Sequence, residues 1–535
     1  MASGDHKGVD DITKFRRFIH FGSEDGVYFP GERSFGKENA QLIARLVGSG
    51  KGEDIVSEIV GHCKTERPVR PLASIFALAA CARSSDLKTK HASYKALPTV
   101  CKTSSDLFAF VGYAQIICSD NSFGEENKRP RPTGWGRAQR NAVSLWYTNK
   151  EPKLLAEDVT KVKQRGGWSH VDLLRLAHTK AAKDGTAVVL KYLVKGLAEV
   201  KKLYPVDGAT NEVKEVLSYL EVVDTVKHST DEHQVARLVE QHHLQREHLP
   251  TNMAKSKEVW MALLTTMPYY LVLSCLGKLA SLGLLVPEGD ATKRVVERLK
   301  DDSALADSRL HPFSILVAWK VYEQGRGENG KLRWMPTPAI QTALNSAFYS
   351  SFKNIQPTNK KFVLGISITG SLALQGLNGT PAVSAAVAAA TMALAIARTE
   401  TNYQLVVFSS ELRPVSLNKD MELIDICRAM ATESTKIPLG VANMCLPITW
   451  ATDQKKDVDV FVIYTDARSS SSLMTPLEAL AQYRQQVNPR AKLVFCGMAP
   501  STMLLGAGEV HGVLNVVNFD PSAPQAIDSF IGCDV

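Results

Sequence analysis

The chain has 535 residues, 44% of them hydrophobic and 22% charged, with a formal net charge of +8. That length exceeds what one hydrophobic core serves, so two or three domains are expected, and the ordinary composition excludes a disordered or fibrous chain. Nine scattered cysteines, odd in number and without a CxxC pair, exclude a disulfide frame or zinc ribbon and predict free thiols in a reducing compartment.

The N-terminus, MASGDHKGVDDITKF, carries no apolar signal region. From about Asp11 to Phe352 the pattern is helical. Stretches such as ENAQLIARLVGSG, PLASIFALAACARSS, HQVARLVEQHHLQREHL and SKEVWMALLTTM place apolar residues at helical spacing, with short Pro-, Gly- or Asn-bearing breaks between them. Helices of this length on short loops predict stacked antiparallel pairs, an α-solenoid with a degenerate repeat; an irregular helical bundle is the alternative.

Charge is concentrated within this half. Asp120 to Tyr204 holds 17 Lys/Arg against 9 Asp/Glu, a local +8, whereas Ile355 to Val535 holds 13 against 15, a local −2. A localised positive field suits a polyanion, most simply nucleic acid; a solvated basic face is the alternative. The segments KRPRPTGWGRAQRNAVSLWYTNK and KVKQRGGWSHVDLLRLAHTK interleave cations with Trp135, Trp146, Trp168, His170 and His178. Pro130 and Pro132 exclude regular helix over RPRPTGWG and predict an exposed loop. Cations neutralise phosphates and aromatic planes stack on bases, so this composition fits a single-stranded ligand. Arg137 and Arg140 share a helix face at a spacing of three, as Lys161 and Arg165 do at four. Trp146, inside the apolar run AVSLWY, reads as core. Trp168, after Gly166–Gly167, reads as a packing anchor or a stacking platform, and His178 as a structural residue or a contact.

Near Pro357 the texture changes. FVLGISI, YQLVVFSS, DVFVIYTD, AKLVFCGM and VLNVVNFD are short β-branched runs separated by helical stretches, which predicts a doubly wound parallel sheet with its sites at the carboxyl ends of the strands. PTNKK, residues 357–361, is the expected linker. The uncharged run TPAVSAAVAAATMALAIA is Ala-rich and weakly hydrophobic, so it predicts a buried helix instead of a membrane span.

Collinear stretches resemble the Ro ribonucleoprotein autoantigen family: KFRRFIHFGSEDGVYF, FALAACARSSDLKTKHASYKALPTVC, GWGRAQRNAVSLWY, KVKQRGGWSHVDLLRLAHTK, REHLPTNMAKSKEVWMALL and HPFSILVAWKVYEQGRG with GKLRW. They run in order from about Phe15 to Trp334 and continue into the α/β half. The resemblance implies a ring of HEAT-like helical repeats, the TROVE module, over residues 11–356. A von Willebrand factor A-like, Rossmann-like doubly wound domain follows over residues 357–535. It also implies Y-like small RNA bound on the outer face of the ring, and single-stranded 3′ ends of misfolded small RNAs taken through its hole.

The residues matching the family's Y RNA contacts are Lys161, Arg165 and His178. Arg137 and Arg140 match its basic surface helix, and Lys163, Trp135 and His170 complete the candidate set from the basic segment. An Asp-x-Ser-x-Ser metal motif after the first A-domain strand is likewise implied. It falls on Gly365, Ser367 and Thr369, with the loop Thr replaced by Ala442 and the last Asp kept as Asp466. Mg²⁺ demands octahedral oxygen ligands, usually with carboxylates, so no cofactor is expected at this degenerate site.

The function this predicts is that of an RNA-binding, non-catalytic, cytoplasmic ribonucleoprotein component, a nuclear pool included, with RNA quality control as its task. Protein partners are expected through the A domain, and no membrane. A protein-interaction scaffold is the alternative. A nuclease is disfavoured because the basic segment holds no paired carboxylates and the chain no Ser-His-Asp or Cys-His signature.

Overall fold

The computed structural model describes residues 9–31, 33–65, 68–118, 135–327, 332–368, 372, 375–438, 440–466, 474–498, 510–533 and 535. These residues form two compact units, one built from residues 1–32 and 268–535 and the other from residues 33–267. The packing units therefore depart from the change of texture near Pro357, because the first 32 residues and the helices after Pro268 pack with the α/β sheet.

The unit of residues 33–267 is almost wholly helical, as its periodicity predicts. Helices Gly52–Thr65, Pro71–Arg83, Leu87–Val100 and Ser104–Cys118 follow one another and pack pairwise. Helices Arg137–Thr148, Pro152–Lys161, His170–Ala177, Asp184–Lys195, Asn211–His228, Glu232–His242 and Lys257–Leu264 continue the series. Trp146 is 1% exposed and its Nε1–H donates to the Cys101 carbonyl at 2.7 Å, which confirms it as core. All nine cysteines are free thiols.

In the other unit the five apolar runs are parallel strands: β4 (Lys361–Ser367), β7 (Asn402–Phe408), β9 (Val460–Thr465), β10 (Lys492–Gly497) and β11 (Val513–Val517). The sheet of the described residues has seven strands, ordered β1-β11-β10-β9-β4-β7-β8. At one edge β8 (Leu412–Val415) returns antiparallel to β7. At the other, β1 (Val27–Tyr28) comes from the N-terminal segment and pairs parallel to β11. The Ala-rich run begins as β6 (Thr380–Ser384), hairpin partner of β5 (Gly376–Leu377), and continues as the buried helix Ala385–Thr399. Among the described residues no helix is long and apolar enough to cross a membrane.

Candidate nucleic-acid interface

The basic segment is built on three short elements that follow one another. Helix Pro152–Lys161 starts with Pro152 at its first turn and Glu151 as cap, whose carboxylate accepts from the Lys153 and Leu154 amides. It buries Leu155, Ala156, Val159 and Thr160 and stops at Lys161, since Val162 turns extended. Next comes the hairpin of β2 (Gln164–Arg165) and β3 (Trp168–Ser169). Its turn residues Gly166 and Gly167 have φ of 58° and 82°, the pair of positive values that a two-residue hairpin turn needs. Helix His170–Ala177 then begins on a reciprocal cap. The Ser169 amide and hydroxyl donate to Asp172, and the Asp172 amide donates back to the Ser169 hydroxyl. It ends at His178, which is left-handed at φ 51° and exposed.

The shared helix face expected for Lys161 and Arg165 is therefore corrected. Lys161 closes a helix and Arg165 stands on a hairpin strand, because Val162 and the Gly-Gly turn end the helical path. Arg137 and Arg140 do share the exposed first turn of helix Arg137–Thr148. Lys163 and Arg165 are exposed and Lys161 half-buried. Lys161, Lys163, Arg165, Arg137 and Arg140 enter no ion pair among the described residues, whereas Lys150 is bound to Asp158 and Lys153 to Glu215. Cations that no carboxylate pairs are available to an external anion. Trp135 is half-buried and tilts against Trp168 at 6.3 Å. Residues 119–134, including the expected RPRPT loop, lie outside the described residues.

His170 leaves the contact set. It is 1% exposed, with its Nε2 at 3.0 Å from the Val162 carbonyl and its Nδ1 at 2.7 Å from the Tyr147 hydroxyl. A carbonyl only accepts, so Nε2 carries the proton and Nδ1 accepts from Tyr147. Burial pushes its pKa down to about 4, so it is neutral near pH 7. The ring clamps the backbone on which Lys163 and Arg165 ride. The sequence alone could not separate the buried His170 from the exposed His178, since both lie in one polar stretch.

Distant residues complete the surroundings of Lys161. His248, buried, accepts at Nδ1 from the Gln245 amide, so its neutral ring presents Nε2–H to the Thr160 and Tyr219 hydroxyls, each 3.2 Å away. Burial, with repulsion from Lys227 and Lys161, brings its pKa down to about 4. A cavity of about 470 Å³ lies beside it, lined by Lys161, Tyr219, His242, His243 and Gln245 among others. Lys227 reaches the Thr160 carbonyl at 3.4 Å, and burial together with the Lys163 charge lowers its pKa to about 8. No local motif links these residues to Lys161; the packing of helix Asn211–His228 and of the short turn Arg246–His248 on helix Pro152–Lys161 does.

Residues 2–321 match the family described as TROVE domain, and residues 361–531 the one described as Ro60 vWA domain. The chain belongs to the Ro60 family. Relatives include the RNA-binding protein RO60 of Caenorhabditis elegans, 30% identical over 577 residues that span 98% of this chain and 88% of that protein. The RNA-binding protein RO60 of Deinococcus radiodurans is 29% identical over 526 residues, 98% of this chain and 93% of that one. The fold is also that of the crystal structure of the Deinococcus radiodurans RO (RSR) protein, with a TM-score of 0.83, 28% identity, and coverage of 98% of this chain and 100% of that one. The family matches follow the change in sequence texture, while the packing units do not.

The A-domain fold of this family implies a divalent cation at the carboxyl edge of the sheet, and the geometry moves the motif. Gly365 is inside β4, paired with Val406 and Ile463, and a Cβ there would stand 2.7 Å from Pro447 Cγ and 3.3 Å from Phe408 Cε1. No carboxylate fits that position. Ser367 ends the strand instead, so the motif begins at Ser367. Thr369 lies outside the described residues. Ser367 is fully buried and its hydroxyl has no partner among the described residues. Asp466, 4% exposed, follows β9, and Ala442 is packed in an apolar cluster with Phe408 and Met444. Among the described residues, one carboxylate and a hydroxyl do not make the donor set that a divalent cation of this kind requires.

Proposed function

We propose that this chain is an RNA-binding component of small ribonucleoproteins. It holds Y-like small RNA on the surface carrying Lys161, Lys163, Arg165 and His178. It also takes misfolded small RNAs with single-stranded 3′ ends, in RNA quality control, in the cytoplasm and to a lesser extent the nucleus. The observation that carries this reading is the run of unpaired cations on a hairpin whose backbone His170 clamps. The curated relatives named RNA-binding proteins support it.

The cations meet phosphates, and Arg165 offers a planar fork that a phosphate can fill with two hydrogen bonds. The clamp holds them ready, so little ordering is needed on binding. His178 is exposed and offers ring N–H and acceptor atoms to the 2′-hydroxyls that mark RNA. In this division of labour residues 11–356 hold RNA and residues 357–535 meet protein partners, and the RNA is bound without being cleaved.

The test is filter binding of a duplex RNA of about two helical turns across a salt series, a length that spans a phosphate-reading surface. Lys161→Ala with Arg165→Ala lowers affinity at least about tenfold and flattens the salt dependence by about two phosphate contacts. An affinity indifferent to salt and to these substitutions overturns the proposal.

A further inference from the structure

We infer that the A-domain crevice of this chain operates without a divalent cation, and that Ser367 is the position that decides it. The sheet order locates the crevice. The strand β4 is flanked by β7 on one side and β9 on the other, so chain connections leave it in opposite directions and open a cleft at its carboxyl end. The residues at that end are Ser367 on β4, Asp466 after β9, and Ser409 after β7.

A cation here needs anionic oxygens facing one another across β4. Asp466 supplies one on the β9 side. On β4 itself the buried group is the Ser367 hydroxyl, without a partner among the described residues. A hydroxyl neutralises no charge, so it does not replace the carboxylate that such a cation needs. On the β7 side Ser409 is already spent. Its hydroxyl donates to the Gly440 carbonyl at 3.1 Å and its carbonyl accepts from the Asn443 amide at 2.8 Å. That fastening holds Ala442 with its methyl among Phe408, Met444 and Cys445. Among the described residues the chemistry of this edge is one buried carboxylate, the hydroxyls of Ser367 and Ser409, and apolar packing at Ala442, so whatever partner the crevice meets is recognised without a cation bridging to a carboxylate of its own.

The test uses the full chain with Mg²⁺ and Mn²⁺ alone as probes, read by calorimetry and by unfolding temperature against a salt control of equal ionic strength. Wild type takes up no cation, and neither does Asp466→Asn. Ser367→Asp with Ala442→Thr binds one cation and gains about 2–4 °C in unfolding temperature when the cation is in excess, a gain that adding Asp466→Asn removes. One cation bound by wild type and lost in Asp466→Asn overturns the inference, and so does a folded Ser367→Asp, Ala442→Thr protein that binds none. Should the double variant fail to fold, the comparison of wild type with Asp466→Asn still decides. RNA binding is not read in this experiment, so the proposed function stands or falls apart from it.

Discussion

His170 and Arg165 sit five residues apart and do opposite work. Arg165 is exposed and unpaired, so Arg165→Ala removes charge without disturbing packing and should leave the unfolding temperature within about 1 °C, as surface substitutions do. His170→Ala opens a cavity against Phe108, whose ring centroid lies 4.7 Å away, and strands the Tyr147 hydroxyl. A buried polar group left without its partner costs about 1–3 kcal/mol, and RNA affinity should fall with it because the hairpin loses its clamp. Thermal melts beside filter binding separate the two: a loss of affinity without a loss of stability at His170 would refute the clamp. The pH dependence has a definite sign. The folded pKa values of His170 and His248 are pushed from 6.5 down to about 4, so both rings stay neutral in the fold where the unfolded chain takes up protons. Their contribution is fully present above about pH 6.5 and is lost as pH falls toward 4. Unfolding temperature followed from pH 7 to pH 4 should decline over that window, and less steeply in His170→Gln.

At the scale of elements the hairpin Gln164–Ser169 is the piece that turns a basic stretch into a surface. It depends on two glycines, and Gly167→Val places a β-branched residue at φ 82°, where its side chain meets the backbone. The expected result is a loss of about 1–3 kcal/mol with weakened RNA binding, although no charge has changed; a full-affinity Gly167→Val protein would show that the turn does not position Arg165. This element also shows what sequence reading reaches. The long helices and the five strands were legible because each repeats one period over enough residues to be unambiguous. The stop after Lys161 was not, since KVKQR contains nothing that forbids helix and the break comes from the glycines after it. In the A domain, apolar continuity located β4, but its last residue depended on packing. Pro447 and Phe408 close the space at Gly365, which moves the motif from Gly365 to Ser367. The exposed cations of the basic surface were legible from composition, whereas Lys227, His242, His243 and His248 come near Lys161 only through helix packing.

For the whole molecule, the chain contributes its first 32 residues to the same compact unit as its last strands. A two-residue strand has no readable period, so β1 could not be foreseen, yet its anchorage is extensive. Arg17 is fully buried and its guanidinium donates to the Val510 carbonyl at 2.7 Å. The Tyr28 hydroxyl donates to Asp520 at 2.7 Å, the His20 ring meets the Ser529 hydroxyl at 2.6 Å, and Phe21 packs on Phe530. Gly26, at φ 64°, lets the segment run so close to β11 that a Cβ would come within 2.9 Å of the Val513 carbonyl. Without this segment β11, buried on both faces, becomes a bare edge with unpaired backbone groups, a template for association between chains. Deleting residues 1–32 should therefore lower the unfolding temperature and produce aggregates in size-exclusion chromatography. An A domain cut at residue 357 should share that defect, its own helices notwithstanding. Gly26→Val tests the same seam within the intact chain. The added side chain forces β1 away from Val513, so the unit holding the sheet should unfold several degrees earlier, about 2–4 °C for each kcal/mol lost. A monomeric, fully stable deletion protein would mean that β11 protects its own edge and that the N-terminal strand is ornament to the sheet instead of its seal.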